Sequence, residues 1–254
     1  MDTIIEHLIT GTGLDTWGFA ALCVVSFIGS FIAASLGLGG GMLVMATMAS
    51  LLPPTVLVPL HGIVQLGSNI GRTFMFRSHV QILFIPPFAL GTMIGAFIGG
   101  NLMVNLPIEV LQIVLGSFIL CSIFGPKLRV GRPSNMTFVG IGLFGAFATM
   151  FVGATGPLVA PFAAAASKKR QEVVATLAAM MTIQHSSKVI VFGGLGFEFS
   201  SYLPLLVGLL IFGICGTWAG KHILNFMPEH IFRIVLKIIL TVLALRLLFV
   251  GIFH

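Results

Sequence analysis

Apolar runs separated by short polar breaks cover nearly the whole chain, at residues 17–36, 42–52, 56–76, 80–104, 108–124, 136–151, 158–166, 173–192, 202–224 and 231–253. Eight of them are long enough to cross the roughly 30 Å hydrocarbon core of a bilayer as helices, whereas 42–52 and 158–166 are too short. Each short run follows a glycine-rich break, Gly37-Leu38-Gly39-Gly40-Gly41 and Gly153-Ala154-Thr155-Gly156-Pro157, where helix is locally disfavoured. Each therefore reads as the second arm of a broken helix or re-entrant hairpin.

The two breaks are one repeat apart: 153 minus 37 gives an offset of 116, and the same offset takes Asn69 to His185 and Arg72 to Lys188. Further on, 107–115 matches 228–236, and Gly95 and Gly99 match Gly216 and Gly220; 216 minus 95 gives 121, which places about five extra residues within 193–199. The pattern predicts an all-α polytopic membrane protein of two inverted repeats, each with a broken segment and three crossing helices. The halves are 1–126 and 136–254, joined by a cytoplasmic connection at 127–135.

Composition agrees with that reading. The 254 residues are 57% hydrophobic and only 8% charged, against roughly 25% in soluble domains. A net charge of +6 is then topology information before it is a sign of nucleic acid, which is not an expected partner. With each broken segment returning to its own side, Arg77, Lys127, Arg129, Arg132, Lys168, Lys169, Arg170 and Lys221 all fall on one face, the cytoplasmic one. Both termini then lie outside. If each broken segment instead crosses once, the Lys168 cluster and Lys221 face outward. The first sixteen residues carry Asp2, Glu6 and Asp15 with no Lys or Arg, so a retained N-terminus rather than a signal peptide is expected.

All seven carboxylates, Asp2, Glu6, Asp15, Glu109, Glu172, Glu198 and Glu229, lie at or beyond segment ends. Cation and proton pumps usually place such groups inside the bundle. The charges at membrane depth here are positive: Arg72 and Lys188, with Asn69 and His185 nearly one turn earlier on the same faces. Helices starting at Gly39, Gly40, Gly41 and at Thr155, Gly156 present free N–H groups and positive dipole ends, so a central anion site is expected. Gln65, Ser68, Gln184 and Ser186 could add hydrogen bonds to it or simply join helices. His61 and His185 are the histidines well inside a span and are candidate proton relays; the competing roles are packing for the histidines and snorkelling to headgroups for Arg72 and Lys188.

Other polar positions read as structural. Gly91, Gly95, Gly99, Gly216 and Gly220 form small-residue faces for close helix packing, and Trp17, Tyr202 and Trp218 read as interface anchors. Arg233 and Arg246 read as snorkelling cations, while Lys237 is deeper and has no evident partner. Cys23, Cys121 and Cys215 stand alone and read as packed thiols, and Met42, Met45 and Met48 as core. No metal, cofactor or disulfide is expected. Nor is an enzyme: the chain has no HExxH motif, and the adjacent His185-Ser186 point about 100° apart on a helix rather than forming a dyad. A passive anion channel uses the same cationic constriction and stays open as an alternative, as does a proton-coupled importer of another small anion.

The run Leu36-Gly37-Leu38-Gly39-Gly40-Gly41, its degenerate copy Phe151-Val152-Gly153-Ala154-Thr155-Gly156-Pro157, and the order of segments around them resemble the TauE/SafE family, also called the sulfite exporter or TSUP family. The resemblance covers nearly the whole chain; Met45-Ala46 stands where the family usually has a proline shortly after the first glycine run. It implies carriage of sulfite, thiosulfate or C2 organosulfonates across the cytoplasmic membrane. Export driven by the membrane potential, with alternating access, is the expected mechanism. Nothing in the sequence indicates an oligomer.

Overall fold

A computed structural model describes residues 14–36, 39–126, 130–223 and 229–253. Among them lie ten α-helices and no strand: α1 Thr16–Leu36, α2 Gly40–Ala49, α3 Pro54–Met75, α4 Ile85–Met103, α5 Ile108–Phe124, α6 Asn135–Val152, α7 Gly156–Ala165, α8 Arg170–Gly194, α9 Leu203–Ile223 and α10 Glu229–Phe253. Five segments are long and apolar enough to cross a membrane: Thr16–Ser35, Ile82–Met103, Asn135–Val152, Phe199–His222 and Ile234–Phe253. The two longer helices outside that set, α3 with 22 residues and α8 with 25, carry the buried imidazole, carboxamide and cationic side chains His61, Gln65, Asn69, Arg72, Gln184, His185 and Lys188.

Helix boundaries follow the sequence offset. Both short helices start at the fourth residue of their breaks, at Gly40 and Gly156, and both end on alanine, at Ala49 and Ala165. Gly39 caps α2 with φ 92°, a left-handed conformation open to glycine and costly for other residues. Gly153 ends α6 with φ 70° for the same reason. In the second half, α8 runs on to Gly194 and is followed by a turn at Gly196, φ 90°, where the extra residues were expected.

Helices of one half pack on helices of the other. α3 lies on its counterpart α8 at the centre and α5 on its counterpart α10, while α4 packs on α6 as its counterpart α9 packs on α1. The last two contacts are backbone to backbone. A Cβ on Gly91 or Gly95 would strike the carbonyls of Val139 or Leu143, and one on Gly216 or Gly220 those of Phe27 or Phe31. Position 143 is 27 shifted by 116 and position 216 is 95 shifted by 121, so both offsets meet in one pair of equivalent contacts. Without a hydrophobic gain between helices in lipid, such close approach supplies dispersion energy that bulkier residues would forfeit.

Several expectations need correction. Cys23 is buried, but Cys121 and Cys215 are exposed on the outside of the bundle, where a small apolar thiol suits lipid as well as a core. Tyr202 stacks on Phe197 at 5.7 Å and packs against the core, whereas Trp17 and Trp218 stand exposed. Lys237 has a partner after all, with its Nζ 4.4 Å from the centre of the Phe124 ring. Arg246 donates to the Ser50 carbonyl at 3.1 Å, closing the end of α2. The side chain of Arg233, and Lys127 and Arg129, lie outside the described residues, as do Gly37, Leu38, Asp2 and Glu6.

Candidate functional site

Between the two breaks lies a cavity of about 50 Å³. Two stripes face it, one polar and one largely apolar. His61, Gln65 and Asn69 recur every four residues along α3 and end at Arg72, while Leu177, Met181 and His185 recur likewise along α8. The first turns of α2 and α7 complete the wall with Gly39, Gly41, Met42, Gly156 and Pro157. Eight of the residues expected at the site therefore meet in one place: Gly39, Gly41, His61, Gln65, Asn69, Arg72, Gly156 and His185.

Four do not line it. Gly40 faces away, and its missing side chain lets α2 pack against the carbonyl of Gly29. Thr155 donates from Oγ1 to the Gln184 Oε1 at 2.8 Å, tying the start of α7 to α8. Lys188 is fully buried and reaches across Gly62 to donate from Nζ to the Gly153 carbonyl at 2.8 Å. The sequence offset does not reveal this, because matching helical positions share a face without sharing a partner. A Cβ on Gly62 would come to 2.9 Å from Lys188 Cδ, so that glycine gives the lysine stem its path.

Neither cation snorkels. Arg72, 6% exposed, donates from Nη2 to Asn69 Oδ1 at 2.7 Å and from Nη1 to the Ala33 carbonyl at 3.1 Å. Its guanidinium thus satisfies the last turn of α1, and Lys188 does the same at the end of α6. Both helices would otherwise present negative dipole ends at the breaks. What remains facing the cavity is positive: the Arg72 guanidinium and the N-termini of α2 and α7, with the buried Lys188 ammonium behind the wall. Among the described residues the buried polar and charged groups include no Asp or Glu, so the two charges have no protein counter-ion. Burying a cation without an opposite charge is costly, and an anion in the cavity removes that cost.

Unpaired polar atoms mark the same region. His61 Nε2 lies 3.0 Å from the Gly41 carbonyl, which assigns the proton to that nitrogen and leaves Nδ1 without a partner. His185 Nδ1 and Gln184 Nε2 are also buried and unpartnered, and the two imidazoles meet edge to face with centroids 5.8 Å apart. Buried polar atoms are nearly always bonded, so orphans beside a cavity point to a polar occupant. Of the lining residues absent from the sequence expectation, Leu177 and Met181 had a signal in their spacing from His185. Ala33 and Ala154 had none beyond their nearness to the breaks.

Replacing Lys188 by Met, which keeps the stem and removes the charge, is expected to weaken anion binding on the order of tenfold through the lost field alone. The orphaned Gly153 carbonyl should cost about 1–3 kcal/mol of stability. Calorimetric titration and thermal unfolding of the same preparation separate the two effects.

The model of the sulfite exporter TauE/SafE family matches residues 22–247, most of the chain. No curated protein matches. No solved structure matches either.

Proposed function

From the premise that the chain belongs to the sulfite exporter TauE/SafE family, a family of membrane transporters rather than enzymes, we propose that its anion binds in the cavity between the two breaks. The observation that carries this reading is the pair of buried cations, Arg72 and Lys188, with no carboxylate among the described buried residues. A sulfite or sulfonate group offers three acceptor oxygens and delocalised negative charge, matched to the Arg72 guanidinium and the free N–H groups at Gly41 and Gly156. The cavity of about 50 Å³ has room for a small anion such as an SO3 group.

The transporter works by alternating access between two inverted halves, 1–126 and 136–254, with 127–135 and both basic connections on the cytoplasmic side of the cell membrane and both termini outside. Efflux follows the membrane potential, which favours outward movement of an anion by about 2.3 kcal/mol per charge per 100 mV. The matched helix boundaries and the paired glycine contacts support the two-half arrangement.

A second reading, proton coupling, is favoured by one observation: the unpartnered Nδ1 atoms of His61 and His185. Flux of labelled sulfite and labelled sulfoacetate into proteoliposomes tests both readings. Saturable sulfite flux that follows an imposed potential supports the carrier, whereas current that does not saturate identifies a channel. His61→Ala and His185→Ala are expected to leave the pH dependence of flux unchanged. Its loss in either variant transfers the mechanism to proton coupling.

A further inference from the structure

The two halves differ in one respect that bears on the surrounding lipid. In the first half, α10 covers α2: Leu236 lies against Gly39, Arg246 bonds the Ser50 carbonyl, and the hollow left beside them is about 240 Å³. Over the short helix of the second half, α7, the helix equivalent to α10 is α5, and no comparable packing joins the two. Instead a hollow of about 710 Å³ opens between α5, α6 and α7, lined by Phe118, Phe144, Ala148, Leu158, Pro161 and Ala164. Phe144 is 56% exposed, so the hollow faces outward, and Pro157 separates it from the central cavity.

One end of this groove is basic. α5 leads through Pro126 into the connection that carries Arg132, and α7 leads through Ala164 to Lys168 and Lys169. These three side chains are exposed, while Arg170 is committed to the Ser35 carbonyl at 2.9 Å. Glu172, beside them, accepts the backbone N–H groups of Lys168 and Lys169, at 2.7 and 3.3 Å, which hold its carboxyl below the usual range. Those bonds use the lysines' main chain; the carboxylate also attracts the Lys169 ammonium, which stays exposed like that of Lys168.

We propose that this groove holds an acyl chain of an anionic phospholipid, with the headgroup on Lys168, Lys169 and Arg132. An apolar hollow open to hydrocarbon is filled by hydrocarbon, since a void forfeits the dispersion contacts of its lining. The stretch of α7 from Pro157 to Ala164 rises roughly 10 Å, most of the half-thickness of a core about 30 Å deep. The chain takes on α7 the place that α10 takes on α2. The basic rim selects the anionic headgroup, as clustered Lys and Arg beside membrane helices do.

The test uses the full chain in phosphatidylcholine nanodiscs with rising phosphatidylglycerol, read as the thermal unfolding midpoint, without any transported anion. Wild type should show a saturable rise in the midpoint. Lys168→Gln and Lys169→Gln should each raise the half-saturating fraction of phosphatidylglycerol about fivefold. Ala164→Phe, which fills the groove, should fold and lose the saturable rise. Equal titrations for wild type and all three variants would overturn the proposal. So would a midpoint indifferent to phosphatidylglycerol, which would mean that α5 itself closes the groove. Because no sulfur anion is present, either outcome is independent of the transport reading.

Discussion

Arg72→Ala is expected to abolish sulfite transport in a protein that still folds and inserts. Among the described residues the guanidinium is the one Lys or Arg side chain that lines the central cavity, and it enters already oriented by Asn69 Oδ1 and the Ala33 carbonyl. Hydrogen bonds to charged groups are worth about 1.5–3 kcal/mol each, so losing two such bonds to the anion lowers affinity by roughly two orders of magnitude or more. Water entering the vacated space can satisfy Ala33 and Asn69, which limits the structural damage. Arg72→Lys should retain part of the flux, because a point charge remains while the planar fork is lost. Flux in proteoliposomes, set against thermal unfolding of the same preparations, checks this; full transport by a folded Arg72→Ala protein removes the assignment.

The second large effect is expected at the paired glycine contacts. Gly95→Ala and Gly216→Ala should each destabilise the protein by about 1–3 kcal/mol, because the added methyl meets a backbone carbonyl, of Leu143 or Phe27, that no rotamer change can move. The two costs should be similar, since the contacts are equivalent in the two halves. They should also add, as they lie at separate helix pairs. Gly140→Ala is the control: a Cβ there meets nothing within 4 Å, so the variant should unfold like wild type. Thermal unfolding in one detergent measures all three.

Much of the architecture was legible because membrane helices are written in runs of hydropathy and interrupted by glycine. The breaks, the short arms after them and the paired glycine faces all rest on local chemistry, and local chemistry survives in a sequence. The polar stripe His61, Gln65, Asn69, Arg72 was legible for the same reason, as helical spacing on one face. What could not be read was the direction of Lys188. Its equivalence with Arg72 predicts a shared face, but the packing of α8 on α3, with Gly62 opening a path, turns its ammonium to Gly153 instead of the cavity. The exposed thiols, the Lys237 ring contact and the uneven seating of α5 and α10 are equally tertiary. They depend on which helix lies opposite, and no single segment records that.

Calorimetric titration of sulfite into the purified protein, wild type beside Arg72→Ala, tests most directly the claim that an anion is the missing counter-charge. The account predicts saturable binding to wild type, one anion per chain, weakened about a hundredfold or more in the variant. Equal binding to the two proteins, or none to wild type, would contradict it.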